Sequence, residues 1–262
     1  MIALSQLPSK TVQTISLTAV IETALSVGAG GSSGSLADKP ILKNGDGRLI
    51  IPASQLKGRL RHECEKLTRA LGWPTCEAPS PQNMCPQLAS KSEAEKRTFQ
   101  IPPYQLKKLI GLPSSESHRH CLICQIFGNP SLPARLQCSD LVCDRPEEDI
   151  PEVLRPGVSI NRRRKTAEDN KLFYLETSPA NSALRFSGVL QLDSAWQQEG
   201  DPEPNFALPL ILAGLKQIYA LGGSKSAGLG WLHWEGLDSI ETDLSWLEQP
   251  VPTAISATGG KS

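Results

Sequence analysis

GAGGSSGSLADKPILKNGDGRLIIPASQLKGRLR, residues Gly28 to Arg61, decides how the chain is organised. Its glycines and serines make a pliable loop, because glycine tolerates positive φ and adds no bulk. The loop carries one acid, Asp38. Leu49 to Ile51 follows as a short strand that Pro52 ends, and Ser54 is placed to cap a helix by accepting first-turn amides. In that helix Leu56, Leu60, Cys64, Leu67 and Leu71 recur at helical spacing and define one apolar stripe. Lys57 and Arg61 stack one turn apart along an edge of the stripe, with Arg59 between them in sequence. Cations beside the amino end of a helix suit a polyanion, since the free amides there already favour negative charge.

Upstream, Val12 to Val27 alternates apolar and polar residues and predicts a long first strand. Downstream, Gly72 to Leu136 is irregular, rich in Pro, Ser and Gln, and reads as an insertion with a short helix around Tyr104 to Ile110. It holds Cys76, Cys85, Cys121 and Cys124. The Cys121-Leu-Ile-Cys124 spacing is one with which two thiolates bind a tetrahedral zinc, and the second pair completes a ligand set. His118 and His120 are alternative ligands. Cys64 falls on the helix stripe and belongs to the core; Cys138 and Cys143 read as ordinary thiols.

Strands resume at Val158–Ile160, Leu172–Glu176 and Ala183–Leu192, the last with Leu184, Phe186, Leu190 and Leu192 on one face. Between the first two lies a turn with Arg162, Arg163, Arg164 and Lys165. Leu208 to Leu221 predicts a buried helix stopped by Gly222. The loop Gly222 to Gly230 then offers Gly223, Lys225 and Ser226 before a final strand, Trp231 to Glu235. It is not a Walker loop: Lys225 follows Ser224, and the loop joins a helix to a strand rather than a strand to a helix.

Composition limits the choices. The 262 residues are 39% apolar, enough for a proper core, and 27 basic residues balance 27 acidic ones. A global basic field for nucleic acid is excluded, so an anion site must be local. The seven cysteines, an odd number, argue against a disulfide framework. Met1 to Lys10 lacks a leader pattern and no run approaches a bilayer span of about 20 residues, which predicts a cytoplasmic protein with no membrane partner. The order of elements predicts an α+β chain with a ferredoxin-like, RNA-recognition-motif-type sheet. Few aromatics suited to stacking are evident, which predicts backbone contact to single-stranded RNA with weak sequence preference.

Four segments resemble motifs of the RAMP superfamily of CRISPR proteins: IPASQLKGRLRHECE, CLICQIFGNPSLPARLQCSD, SINRRRKTAEDNKLFYLETSPANSALRFSGVLQL and GGSKSAGLGWL. They come in the family's order. The first, with the loop before it, is most similar to the repeating backbone subunit of type III effector complexes. The resemblance implies one domain over residues 1–248 with a thumb-like hairpin near 158–172, and a flexible tail at 249–262. It implies that Asp38 cuts target RNA paired to a guide; such cleavage needs proton acceptance and charge neutralisation, which Asp38 would supply as a general base or by holding a divalent cation such as Mg²⁺. It further implies that Ser54, Lys57, Arg61 and Arg135 bind guide RNA, and that some members hold zinc in the insertion. Other RAMP subunits and a large polymerase-like subunit are the implied protein partners. Asn161 departs from the family's usual Asp. Three other readings stay open: a guide-binding subunit without catalysis, a guide-processing endoribonuclease, and a zinc-stabilised metabolite-binding domain.

Overall fold

The computed structural model describes residues 12–30, 37–73, 75–80, 84–85, 121–130, 133–193 and 207–240. Most of the Gly-Ser loop, the helix expected near Tyr104, both insertion histidines and the tail lie outside this set. The elements are β1 (Val12–Ile21), β2 (Ile50–Ile51), α1 (Ala53–Ala70), α2 (Leu122–Phe127), β3 (Leu136–Cys138), β4 (Leu141–Cys143), β5 (Val153–Asn161), β6 (Thr166–Thr177), β7 (Leu184–Asp193), α3 (Ala207–Lys216) and β8 (Leu232–Glu235).

One sheet runs in the order β2-β4-β7-β1-β8, with β3 also paired to β7, and all its pairs are antiparallel. Period-2 alternation divides its faces. Ile15, Leu17, Ala19 and Ile21 of β1 and Leu184, Phe186, Leu190 and Leu192 of β7 are buried in the core. Ser16, Arg185, Ser187 and Gln191 alternate with them and are exposed. The core face is covered by α1 and α3. Leu56, Leu60 and Cys64 are fully buried, and burial pushes the Cys64 thiol up, so it stays protonated. Gly214 lets the two helices approach: a β-carbon there would stand 2.6 Å from Cys64 Sγ. Residues 122–127, within the stretch read as irregular, are all buried, and Leu122, Ile123 and Ile126 enter the same core.

Three local expectations need correction. The first strand ends at Ile21, not Val27; Ser178 turns the chain there, its hydroxyl accepting from Leu25 N–H at 2.9 Å. Ser54 does not cap α1, which starts at Ala53. Asp140 does so from another element, its Oδ1 accepting Ala53 N–H at 2.7 Å. Asp140 sits where β3 gives way to β4, and a Ser-Asp step between two short apolar stretches was the available signal. The last helix stops at Lys216, five residues before Leu221. Gln217 and Ile218 tighten onto Gly214 and Leu215, and Ala220 bridges to Trp231 instead of continuing the helix.

Outside the sheet, β5 and β6 form a separate two-stranded ribbon. It is longer than the expected 158–172 hairpin, because β5 begins at Val153 and β6 runs on to Thr177, and residues 166–171 belong to β6 rather than to the turn. Among the described residues no helix is long and apolar enough to cross a membrane.

Candidate metal centre and nucleic-acid interface

Cys121 stands just before α2 and Cys124 lies in its first turn, so the helix aims both thiols at one point. Cys76 and Cys85 arrive from the segment after α1. All four sulfurs lie within 4.8 Å of one another, and the four side chains are buried. Cys76 Sγ is 3.4 Å from Cys124 Sγ, and Cys85 Sγ accepts Cys121 N–H at 3.3 Å. None of the four is in a disulfide. Zinc–sulfur bonds of about 2.3 Å in a tetrahedron set sulfurs roughly 3.8 Å apart, so this quartet has the donor set and spacing of a structural site with no position left open. Hydrogen bonds with Cys121, Cys124 and Cys85 pull the Cys76 thiol down, while those with Cys121, Cys124 and Cys76 push Cys85 up. Cys138, outside the cluster, behaves oppositely to Cys76: burial raises it to about 11. The histidines offered as substitutes are not needed to complete the set.

The helix cations are tied into the scaffold. Lys57 Nζ donates to the Leu136 carbonyl at 3.1 Å. Arg61 donates through Nε to Glu65 at 2.9 Å and through Nη1 to the Gly128 carbonyl at 3.2 Å. Its charge also faces Cys124 and Cys76, which favours thiolates in the cluster. Arg135 is buried and donates to the Asp193 carbonyl at 2.9 Å. These residues join α1, α2, β3 and β7 around the cysteines. Their exposed neighbours are Ser54, Gly58 and His62, one turn apart on the outer strip of α1. Gly58 was not singled out from sequence. Among the described residues nothing lies within 4 Å of a β-carbon built on it, so no contact among them requires a residue that weakens a helix interior by about 1 kcal/mol relative to Ala.

Asp38 is exposed, and its Oδ2 accepts the Tyr174 amide at 2.7 Å. Lys39 next to it forms a parallel bridge with Leu175, and its ammonium lies 5.7 Å from the Phe173 ring centre. Glu176 Oε2 accepts Ile41 N–H at 3.1 Å. The loop is thereby fixed along the base of the β5–β6 ribbon. Arg162 to Lys165 lie at the other end, all exposed, roughly 30 Å away at about 3.3 Å per strand residue. Asn161 Oδ1 accepts the amides of Arg163 and Arg164 at 3.1 and 3.0 Å. An Asp carboxylate would accept the same two bonds, so this departure from the family pattern leaves the turn intact.

Along the ribbon, Leu154 and Val158 share one face with Leu172 and Tyr174 through the cross-strand register, and all four are exposed, as is Ile160 beyond a shift in register. Sequence alternation hinted at this face in β5 but did not say which side would be left bare.

The Gly222–Gly230 loop is clamped at its base. Gly223 N–H donates to Ser26 O at 2.6 Å, Gly230 N–H to Ala24 O at 2.8 Å, and Leu221 N–H to Gly230 O at 2.9 Å. A β-carbon at Gly230, where φ is +72°, would collide with the Leu221 carbonyl. Among the described residues, the amides of Ser224, Lys225 and Ser226 take no backbone acceptor. Lys225 Nζ turns back to the Gly222 carbonyl at 3.0 Å. Gly223 and Ser226 are exposed.

A family model for the RAMP superfamily matches residues 18–233, from the middle of β1 into β8. The chain belongs to the RAMP superfamily. The match takes in the cysteine cluster, the ribbon and the glycine-rich loop, which ties this RAMP protein to CRISPR systems. No curated protein matches the chain. In this RAMP protein the four cysteines are brought together. The expected RNA-contacting residues lie on α1, at the ribbon tip and in the glycine-rich loop, apart from Arg135, which is buried just before β3.

Proposed function

We propose that this RAMP protein is a guide-RNA-binding backbone subunit of a type III CRISPR ribonucleoprotein complex in the cytoplasm, with a structural rather than a cutting role. The observation that carries guide binding is the bare strip at Gly58. A glycine that no contact among the described residues requires, beside Lys57 and Arg61, lets a phosphate backbone come against the helix itself. Gly58→Glu adds bulk and negative charge at that spot while improving helix propensity. RNA affinity is expected to fall at least tenfold with a thermal midpoint equal to or above wild type; undiminished affinity would overturn the strip's role.

The order β8-β1-β7-β4 with α1 and α3 on one face supports a ferredoxin-like description, and the β5–β6 ribbon suits a thumb. Its bare apolar face is the surface on which neighbouring RAMP subunits or the large polymerase-like subunit would pack. A structural Zn²⁺ held by Cys76, Cys85, Cys121 and Cys124 would knit the segment after α1 to α2.

The structural role is favoured by what Asp38 does. Its carboxylate fastens the loop to Tyr174, and among the described residues the four cysteines form the one cluster of three or more groups able to hold a metal. A second reading, cleavage of target RNA by Asp38 with a divalent cation, is kept by one observation: the carboxylate is exposed, and its other oxygen takes no hydrogen bond among the described residues. Asp38→Asn separates the two, because Asn keeps an acceptor for Tyr174 N–H and removes the charge. In a reconstituted complex the substitution is expected to leave target cutting within about twofold. A loss near 100-fold, the scale of one general base, would establish the second reading.

A further inference from the structure

Tyr219 and Trp231 are exposed by 59% and 48%, large values for aromatic residues that sit on fixed backbone. Tyr219 O accepts Leu232 N–H at 2.9 Å. Trp231 N–H donates to Thr23 Oγ1 at 3.0 Å and its carbonyl accepts Glu22 N–H at 2.8 Å. The rings meet edge to face with centroids 6.0 Å apart, and the Arg59 guanidinium lies 5.9 Å from the Tyr219 ring centre. The pair brackets the glycine-rich loop, so Lys225 and the amides of Ser224, Lys225 and Ser226, which take no backbone acceptor among the described residues, follow a few residues on.

We infer that Tyr219 and Trp231 form a base-stacking platform for one or two unpaired nucleotides of a single-stranded RNA, whose phosphates reach the adjoining loop. The inference rests on the RNA-binding reading and adds to it a contact to bases rather than backbone. Every base has a π-face, so such a platform is sequence-tolerant, and a guanidinium on the far ring suits cation–π support. The surroundings argue for RNA over an apolar protein surface. The exposed residues joined to Trp231 by pairing or by chain are polar: Glu22, whose amide bonds to the Trp231 carbonyl, and His233, two residues on, whose ring pairs with the Glu22 carboxylate at 2.8 Å. The sequence hides the platform because its two rings are twelve positions apart, on either side of a loop.

The test titrates the full chain with a labelled single-stranded RNA and with an oligomer of the same length that carries abasic ribose-phosphate throughout. Tyr219→Ala and Trp231→Ala are each expected to weaken binding of the intact RNA about tenfold, the lower range of one stacked base, and to leave the abasic oligomer unaffected. Tyr219→Phe and Trp231→Phe are expected to bind intact RNA as wild type does. Equal loss on both oligomers, or no loss on intact RNA while Gly58→Glu still loses affinity, overturns the platform and leaves the RNA-binding reading standing. Wild-type protein that binds neither oligomer overturns both. Self-association that both alanine variants abolish, with RNA affinity intact, would assign the rings to a protein contact and overturn the inference.

Discussion

Stripping zinc from the protein with a strong chelator under reducing conditions is expected to lower its thermal midpoint by about 10 °C. Cys124→Ser is expected to do the same without a chelator. The four thiols converge from two segments, Cys76 and Cys85 on one side and Cys121 and Cys124 on the other. Without a metal these segments lose their cross-link, and several thiols crowded within van der Waals reach gain nothing in exchange. Structural zinc contributes folding free energy directly. A loss of 3–5 kcal/mol corresponds to roughly 10 °C in a chain of this size. Because α2 packs in the core against α1, the disturbance should spread to the main transition rather than remain in a frayed segment. Elemental analysis should find one zinc per chain, and Cys138→Ser, outside the cluster, should change neither quantity. A metal-free preparation with an unchanged midpoint would remove the zinc assignment.

The second large effect is expected at the ribbon tip. Replacing Arg162, Arg163, Arg164 and Lys165 together with alanine should lower RNA affinity about 100-fold near physiological salt. The four are exposed, and the Asn161 side chain, which holds the turn through backbone amides, is retained. Each phosphate neutralised on a single strand contributes about 0.7 to the slope of log affinity against log salt, so the slope should shrink by about 3. A weaker affinity with an unchanged slope would mean the tip acts through the fold, and an unchanged affinity would remove it from the interface.

Features set by local pattern were readable in the sequence. The stripe of α1, the alternation of β7 and the Cys121–Cys124 pair depend on spacings of three or four residues or of two, and each is where the pattern put it. Features that depend on distant partners were not. Asp140 outcompetes Ser54 as the cap because β3–β4 crosses the start of α1, a contact 87 residues away in the chain. Lys57 and Arg61, read as free cations, are drawn to the carbonyls of Leu136 and Gly128 once α2 and β3 dock beside them. The first half of β6 is mostly polar and exposed, with no other described element packed on the ribbon's outer part, so no alternation marked residues 166–171 as strand. The platform at Tyr219 and Trp231 exists only because the chain pairs with itself on both sides of the glycine-rich loop.

The base of the ribbon has a mechanical consequence. Lys39 is bonded to Tyr174 and Glu176 on β6, Ser178 is bonded to Leu25 in both directions, and the next carbonyl, Ser26 O, holds Gly223. A load applied to the ribbon tip by a bound strand therefore reaches the Asp38 loop at once and the glycine-rich loop two hydrogen-bonded steps later. Residues 174–178 are therefore the joint at which the ribbon, the Asp38 loop and the base of the glycine-rich loop are hydrogen-bonded in series.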